Sequence, residues 1–272
     1  DEEKKGVQED FDVDHIKYMA SLEEKLETNL STKLLTGPDA EKVGKSRDIY
    51  KKLKALYEIP QEQEKSPIPR IIADLILSEE EEPEEERNAV SAQGKAALPH
   101  LLKILKQDFF LDPLFPGYGY APIHVIECIG EIKGKEAVPV LFEMLGTQNE
   151  NDDVFDIEQA AIEALSKIGP PSKTFLLKMI KGRPITRDNH KAAMALEGCF
   201  SSDAKVALTC FQQLHDDDVF ADVSFLSFLI LNCAALEPQT REKFIAWSRK
   251  PSIPQDVRLE IESVISDWED EE

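Results

Sequence analysis

The stretch that decides the fold runs from Ala121 to Ile180. It reads APIHVIECIGEIKGKEAVPVLFEML, then a polar segment, then DIEQAAIEALSKIGPPSKTFLLKMI. Each half holds an apolar segment with helical spacing, a short break of Gly, Pro and Lys, and a second apolar segment. A single helical hairpin of this kind buries too little apolar surface to be stable alone. Two in tandem therefore predict a solenoid of stacked hairpins.

The same pattern continues on the N-terminal side of this stretch. Residues 94–106 and 135–145 share an Ala-apolar-Pro-x-Leu core, in which Pro99 and Pro139 lie near a helix start. A missing N–H does little harm there. The spacing predicts one two-helix repeat in about 36 residues. The first helices of the successive repeats are then expected to end at Ala92, Ile132, Ile168, Cys199 and Leu236.

The N-terminal part follows a different pattern. Residues 1–10 are charged and without periodicity, which predicts a disordered tail. Residues 11–60 hold two helical segments, interpreted as a two-helix cap on a solenoid that spans residues 68–272. A separate N-terminal binding module is the alternative. Residues 78–87, SEEEEPEEER, are interpreted as a mobile loop because their like charges repel one another, and a docking site for a basic partner stays open.

The repeats resemble HEAT repeats, in particular the short repeats of phycobilisome-lyase-type proteins. The first helix of such a repeat typically reads Asp-x-Val-Arg-x-x-Ala-Ala-x-x-Leu before a Gly-containing turn. Residues 156–165 fit this pattern, residues 188–196 fit it more loosely, and residues 256–258 keep Asp-Val-Arg. Glu158 and His190 occupy the Arg position, so the usual ladder of arginines is missing. The resemblance covers residues 68–268 and implies an all-α, right-handed α-α superhelix with a helical N-terminal cap. The Asp that opens each first helix is expected to cap it.

Charge and composition limit the classes of function. The chain carries 53 acidic and 32 basic side chains, a net charge of -21, which opposes binding to nucleic acid. Its apolar runs are shorter than the 18 or so residues of a membrane span, so none is expected. Four cysteines without CxxC spacing favour the cytoplasm. The chain begins at Asp1 rather than Met, which leaves a secreted or periplasmic location open.

The resemblance also allows specific enzymes to be considered. Iron hydroxylases of this fold use His-Glu pairs as metal ligands, and no histidine in this sequence precedes a glutamate. His124 and Cys128 share a helix face but supply only two zinc ligands. No catalytic residue, cofactor or metal is therefore predicted. A bilin-lyase-like enzyme or enzyme subunit, a class without a short motif, is the first alternative to a binding function, and a structural spacer is the second.

Basic residues outnumber acidic ones on three of the five predicted second helices, and the five together carry a net positive charge although the chain is strongly acidic. In HEAT-like solenoids these helices line the concave face. We therefore expect a non-enzymatic protein-interaction scaffold with a basic concave groove that binds an acidic peptide or protein segment. The predicted groove residues are Lys95, His100, Lys103, Lys173, Lys178, Lys205, Arg241 and Lys243.

The connection at residues 109–122, FFLDPLFPGYGYAP, is longer and more aromatic than a link between repeats requires. Such a loop either folds back onto the core or contacts a partner. The residues considered for partner contact are Phe110, Phe115, Tyr118 and Tyr120.

Overall fold

Helices account for every regular element in the computed structural model, which describes residues 13–28, 37–60, 65–78, 82–146 and 157–269. The all-α prediction is therefore confirmed, and the helices are arranged as a HEAT-like solenoid. The expected disordered tail at residues 1–10 lies outside the described residues. The chain divides into two units, Asp1–Ala55 and Leu56–Glu272.

The first unit contains α1 (Val13–Leu26) and α2 (Pro38–Ala55). An ion pair of 3.0 Å joins Arg47 of α2 to Glu23 of α1. These are the two helices that the sequence predicts for residues 11–60, and their role as a cap stays a prediction.

The second unit begins with a short 3-10 turn, Leu56–Glu58, which is anchored to α3 (Ile68–Leu77). The Tyr57 hydroxyl lies 2.5 Å from an Asp74 carboxylate oxygen, and the Arg70 guanidinium donates to the carbonyls of Leu56 and Ile59. These bonds tie residues 56–59 to the second unit.

Helical hairpins follow α3 in sequence order. The first four of the second helices pack mainly against the first helix that follows them, and successive first helices pack side by side. The first helices are α4 (Glu84–Ala92), α6 (Ala121–Ile132), α8 (Ile157–Ile168), α10 (Arg187–Phe200), α13 (Val223–Leu231) and α15 (Arg258–Glu269). The second helices are α5 (Leu98–Leu105), α7 (Val138–Met144), α9 (Pro170–Ile180), α11 (Ala204–Gln213) and α14 (Pro238–Ser248), and a short helix, α12 (Asp217–Ala221), precedes α13.

Helix boundaries mostly follow the sequence pattern. Pro99 and Pro139 lie in the first turn of α5 and α7, as predicted. The expected ends at Ala92, Ile132 and Ile168 are confirmed, and α10 runs one residue past Cys199. The expected end at Leu236 is wrong.

The helix concerned, α13, stops at Leu231 instead. Asn232 follows it, and its side-chain amide donates to the carbonyl of Phe228 at 2.9 Å and to that of Ala193 at 2.8 Å. A side chain thus bonds a carbonyl in the last turn of the helix and ties that turn to α10. The residues beyond Asn232 form turns.

Two further expectations need correction. Asp188 does not cap α10, because Thr186 and Asn189 form a capping box around its first turn. Aspartate caps occur instead at Asp203, Asp216 and Asp222, ahead of α11, α12 and α13. A side-chain acceptor is needed at a helix start, and the chain supplies it at positions other than the family pattern indicates.

The acidic segment 78–87 is only partly a loop. Residues 84–87 form the first turn of α4, directly after Pro83, and its glutamates Glu84, Glu85 and Glu86 lie at the positive end of the helix dipole. The repulsion among these charges is therefore offset by the helix start. Residues 79–81 lie outside the described residues.

The last helix closes the stack with a polar outer side. Ile261, Val264 and Trp268 of α15 are buried, and the Trp268 indole N–H donates to the carbonyl of Ala234. The opposite side of α15 is exposed and largely polar, apart from Leu259.

Candidate functional site

Most of the predicted groove residues are exposed on the second helices or just before them. They form no ion pair with another residue in the described part of the chain. Their separate positions, one or two per hairpin, follow from the repeat itself. These residues are Lys95 before α5, His100 and Lys103 on α5, Lys178 on α9, Lys205 on α11 and Lys243 on α14.

Two other predicted groove residues are held by contacts within the fold. Lys173 of α9 makes an ion pair of 2.5 Å with Asp203, the residue that caps α11. The hydrogen bond from Lys173 is the main reason that the pKa of Asp203 is lowered. Arg241 of α14 donates to the carbonyl of Leu236 at 2.7 Å and lies 5.2 Å from the centre of the Trp268 ring. Both side chains therefore join neighbouring elements.

The basic surface is not continuous. The second helix α7 presents Glu143 to solvent and carries no lysine of its own. The exposed basic residues of α5 therefore precede this interruption in the chain, and those of α9, α11 and α14 follow it.

The aromatic loop is largely folded back onto the core. Phe110 and Phe115 are buried, and the ring of Phe109 lies 4.6 Å and 5.1 Å from theirs. Tyr120 is half-buried and stacks on His124. Tyr118 is 54% exposed, which makes it the predicted loop residue with the most surface for a partner.

Polar contacts between successive first helices replace the missing arginine ladder. Each contact joins residues about one repeat apart in the sequence, and each uses a different pair of side chains. Because the residue types and positions differ from one contact to the next, a repeated arginine position in the sequence does not reveal these contacts. The contacts are Arg87–Glu127 at 2.6 Å, Lys167–Glu131 at 2.7 Å, His190–Asp222 at 2.9 Å and Ser227–Glu260 at 2.7 Å.

Two carboxylates among these contacts, those of Glu127 and Asp222, have lowered pKa values. Burial by itself would raise the pKa of Glu127, but hydrogen bonds from His124 and Arg87 outweigh it, and the pKa is lowered. Asp222 behaves in the same way. Its burial is outweighed by bonds from the Phe225 N–H and from His190, so its pKa is lowered as well.

A cleft on the first helices was not foreseen from the sequence. Its volume is about 480 Å³, and its walls come from α8, α10 and α13 and from the residue Gly146 that follows α7. The side chains of Arg187, Lys191 and Met194 of α10 line one wall. The sequence did single out residues 188–196, but it does not show that Gly146 and Phe228 lie beside them.

The cysteines are free thiols in the helical core. Cys128, Cys210 and Cys233 are buried and Cys199 is half-buried. Burial raises the pKa of Cys128, Cys199 and Cys210 to about 12.

The two possible metal ligands His124 and Cys128 have partners within the fold. The Cys128 thiol lies within bonding distance of the Arg87 carbonyl, and His124 lies beside Glu127. In the described ranges no group of three or more His, Cys, Asp or Glu side chains is placed to hold a metal ion.

None of the helices in the described ranges combines the length and the apolarity that a bilayer crossing requires.

Comparison with protein families finds one match. The model for HEAT repeats matches residues 118–218, a segment that runs from the end of the aromatic loop through α6 to α12. The predicted HEAT repeats are confirmed for this segment, and the narrower likeness to phycobilisome-lyase-type repeats stays a prediction. No curated protein matches the chain, and no solved structure does. HEAT repeats generally serve as protein-interaction scaffolds and are usually non-enzymatic.

Proposed function

Because residues 118–218 match HEAT repeats, we propose that the chain is a non-enzymatic scaffold that binds an acidic peptide or protein segment along its second helices. The proposed contact surface, the lysine surface, consists of Lys95, Lys103, Lys178, Lys205 and Lys243.

The observation that carries this proposal is the exposure of these five lysines without an ion pair among the described residues. Lysines that remain unpaired and point to solvent create local positive potential, which attracts acidic partners and excludes basic ones. His100 lies on α5 with Lys103 and adds a hydrogen-bonding group to the same surface.

Single exposed charges contribute little to binding, about 1 kcal/mol or less each. The proposal therefore requires a partner that contacts several hairpins at once. Lys173 and Arg241 take part mainly by holding α11 and α15 in place, because their charged groups already have partners in the fold.

The test is fluorescence anisotropy with three labelled peptides of equal length, one rich in Glu, one neutral and one rich in Lys. We expect the full chain to bind the Glu-rich peptide alone, and more weakly as the salt concentration rises. The triple variant Lys103→Glu/Lys178→Glu/Lys205→Glu should weaken this binding at least tenfold.

The control variant, Lys51→Glu/Lys52→Glu/Lys133→Glu, changes the net charge by the same amount at exposed lysines elsewhere. It should bind the Glu-rich peptide nearly as well as the wild type. Equal loss in both variants would mean that net charge, not the lysine surface, governs binding. Failure of the wild type to prefer the Glu-rich peptide would contradict the proposal and favour a spacer.

A further inference from the structure

We propose that the cleft between α8, α10 and α13 is a second binding site, which accepts an apolar side chain flanked by carboxylates from a partner peptide. This inference concerns the first helices and goes beyond the proposed role of the lysine surface on the second helices. It rests on an apolar floor, a cationic rim and a glycine that keeps the rim open.

The floor of the cleft is apolar. Met194 of α10 and Phe228 of α13 are half-buried and both line the cavity of about 480 Å³. An apolar side chain placed against them would remove their remaining surface from water, which is favourable at about 25 cal/mol per Å². A cavity of a few hundred Å³ is of the size that small ligands and single anchoring side chains occupy.

The rim carries two cations from one helix. Arg187 and Lys191 are four residues apart, so both project from the same side of α10. Arg187 is exposed and Lys191 is half-buried, and neither forms an ion pair with another described residue. The Arg187 guanidinium donates to the carbonyl of Gly146 at 3.3 Å, which holds it at the edge of the cavity.

Gly146 makes this arrangement possible. A Cβ atom at this position would lie 3.2 Å from an Arg187 guanidinium nitrogen and 3.3 Å from Lys191 Cε. A side chain at this position would therefore crowd the ends of both cationic side chains. The positive φ of 71° at Gly146 also favours glycine.

The carboxylates near the cleft are already bonded. Glu158 accepts the Gly146 N–H at 2.7 Å, and Asp222 bonds to His190 and to the Phe225 N–H. His190 also stacks on the Phe225 ring, with centroids 5.4 Å apart. Among the described lining residues two cations thus face one carboxylate, which gives these residues a net positive charge within an acidic chain.

These features together select the ligand. A carboxylate beside the rim complements Arg187, which can bind it through two N–H groups. An apolar group beside that carboxylate reaches Met194 and Phe228. A peptide segment with one aromatic residue between acidic residues provides both, whereas a polyphosphate would leave the apolar floor uncovered.

Methionine methyl NMR tests the proposal directly, because the four methionines lie in different places. Met194 lines the cleft, Met179 is on the second helix α9, Met144 is on α7 and Met19 is on α1. The full chain would be labelled with 13C-methyl methionine and the Met194 signal assigned with Met194→Leu. The probe is a blocked pentapeptide with one Phe between two Glu on each side.

We expect the Met194 signal to shift and saturate while the Met19 signal stays in place. Replacing Phe by Ser, or Glu by Lys, in the probe should abolish the shift. The variant Arg187→Ala/Lys191→Ala should weaken binding at least fivefold. The control Lys133→Ala/Lys135→Ala, two exposed lysines beside α7, should leave binding unchanged.

The outcomes separate the two sites. An unmoved Met194 signal at millimolar probe, or an equal shift with the Ser probe, would overturn the cleft proposal. A shift of Met179 alone would also overturn it, while supporting binding on the second helices. A Met194 shift that persists in Lys103→Glu/Lys178→Glu/Lys205→Glu would support the cleft whatever the outcome for the lysine surface.

Discussion

Gly130 of α6 lies directly against the backbone of Ala164 of α8. A Cβ atom at Gly130 would be 3.0 Å from Ala164 Cα and 3.2 Å from its Cβ. These residues bring two successive first helices into close contact in the middle of the segment that matches HEAT repeats. Small residues at this point allow the two backbones to approach, and the stacking of the hairpins depends on that approach.

This contact predicts that alanine substitution costs more at Gly130 than at Gly198, a glycine of another first helix, α10. Gly130→Ala places its methyl group against backbone that cannot move, and overpacking of this kind costs about 1–3 kcal/mol. Gly198→Ala would place its methyl group 2.9 Å from Ile162 Cγ2, so a side chain and not the backbone has to give way. Both gain about 1 kcal/mol from the better helix propensity of Ala. We expect Gly130→Ala to be the less stable variant by about 1–2 kcal/mol in urea unfolding. Equal stability would show that the helices do not approach this closely.

Asp203 serves α11 in two ways that substitutions can separate. Its side chain accepts the N–H groups of Lys205 and Val206 and also pairs with Lys173. Asp203→Asn keeps the cap and removes the charge, so we expect a small loss of stability. Asp203→Ala removes both and should cost about 1–2 kcal/mol. Chemical unfolding of both variants measures the difference, and equal losses would mean that the cap contributes nothing.

Asn232 connects α13 to α10 through two amide bonds. Asn232→Ala leaves the buried Ala193 carbonyl without this donor, which costs about 1–3 kcal/mol. Asn232→Asp retains the shape but has no N–H to donate at neutral pH, so it should lose at least as much. Thermal unfolding followed by circular dichroism provides the measurement. A neutral effect of both changes would contradict the role given to Asn232.

Several carboxylates make the fold sensitive to acid. The pKa values of Glu127, Asp203 and Asp222 are lowered in the folded chain. A carboxylate whose folded pKa is lower than its unfolded value stabilises the fold above the unfolded pKa, which is about 4. That stability is lost as the pH falls through the folded pKa. We therefore expect constant stability above about pH 5 and a decline below about pH 4.

Asp222→Asn should make this acid decline shallower, because one of the linked carboxylates is removed. Glu262→Gln, at an exposed residue of α15, is the matched control and should leave the decline unchanged. An unfolding free energy of the wild type that stayed level down to pH 2.5 would contradict the claim that ion pairs and hydrogen bonds lower the pKa values of these carboxylates in the folded chain.

The buried thiols should resist alkylation in the folded chain. A thiol with a pKa of about 12, as at Cys128 and Cys210, is almost fully protonated at pH 8, and the thiolate is the reactive form. We expect slow modification by iodoacetamide without denaturant and modification of all four cysteines in urea. Cys199, which is half-buried, should react first. Rapid native modification of Cys210 would contradict its burial.

The sequence predicted the fold well where the hydrophobic period is strong. The ends of α4, α6 and α8 follow from apolar spacing and a following turn, as do the prolines that open α5 and α7. The end of α13 does not follow from such spacing, because the side-chain amide of Asn232 bonds to a carbonyl of α10 at the point where α13 stops. Such tertiary contacts leave no trace in a local pattern.

The candidate sites were less predictable than the fold. Exposure of Lys103 and Lys178 follows from their place on amphipathic helices, but the pairing of Lys173 with Asp203 depends on the distance between α9 and α11. The cleft joins Gly146 to Phe228 across three helices. Its cations Arg187 and Lys191 could be read from the sequence, whereas the apolar floor beneath them required the structure.

The most direct test of the scaffold function is the affinity of the full chain for the labelled Glu-rich peptide, compared between wild type, Lys103→Glu/Lys178→Glu/Lys205→Glu and the charge-matched control. We expect binding by wild type and control, weakened by salt, and a loss of at least tenfold in the lysine-surface variant. Unchanged binding in that variant would contradict the proposal that the second helices of these hairpins hold an acidic partner.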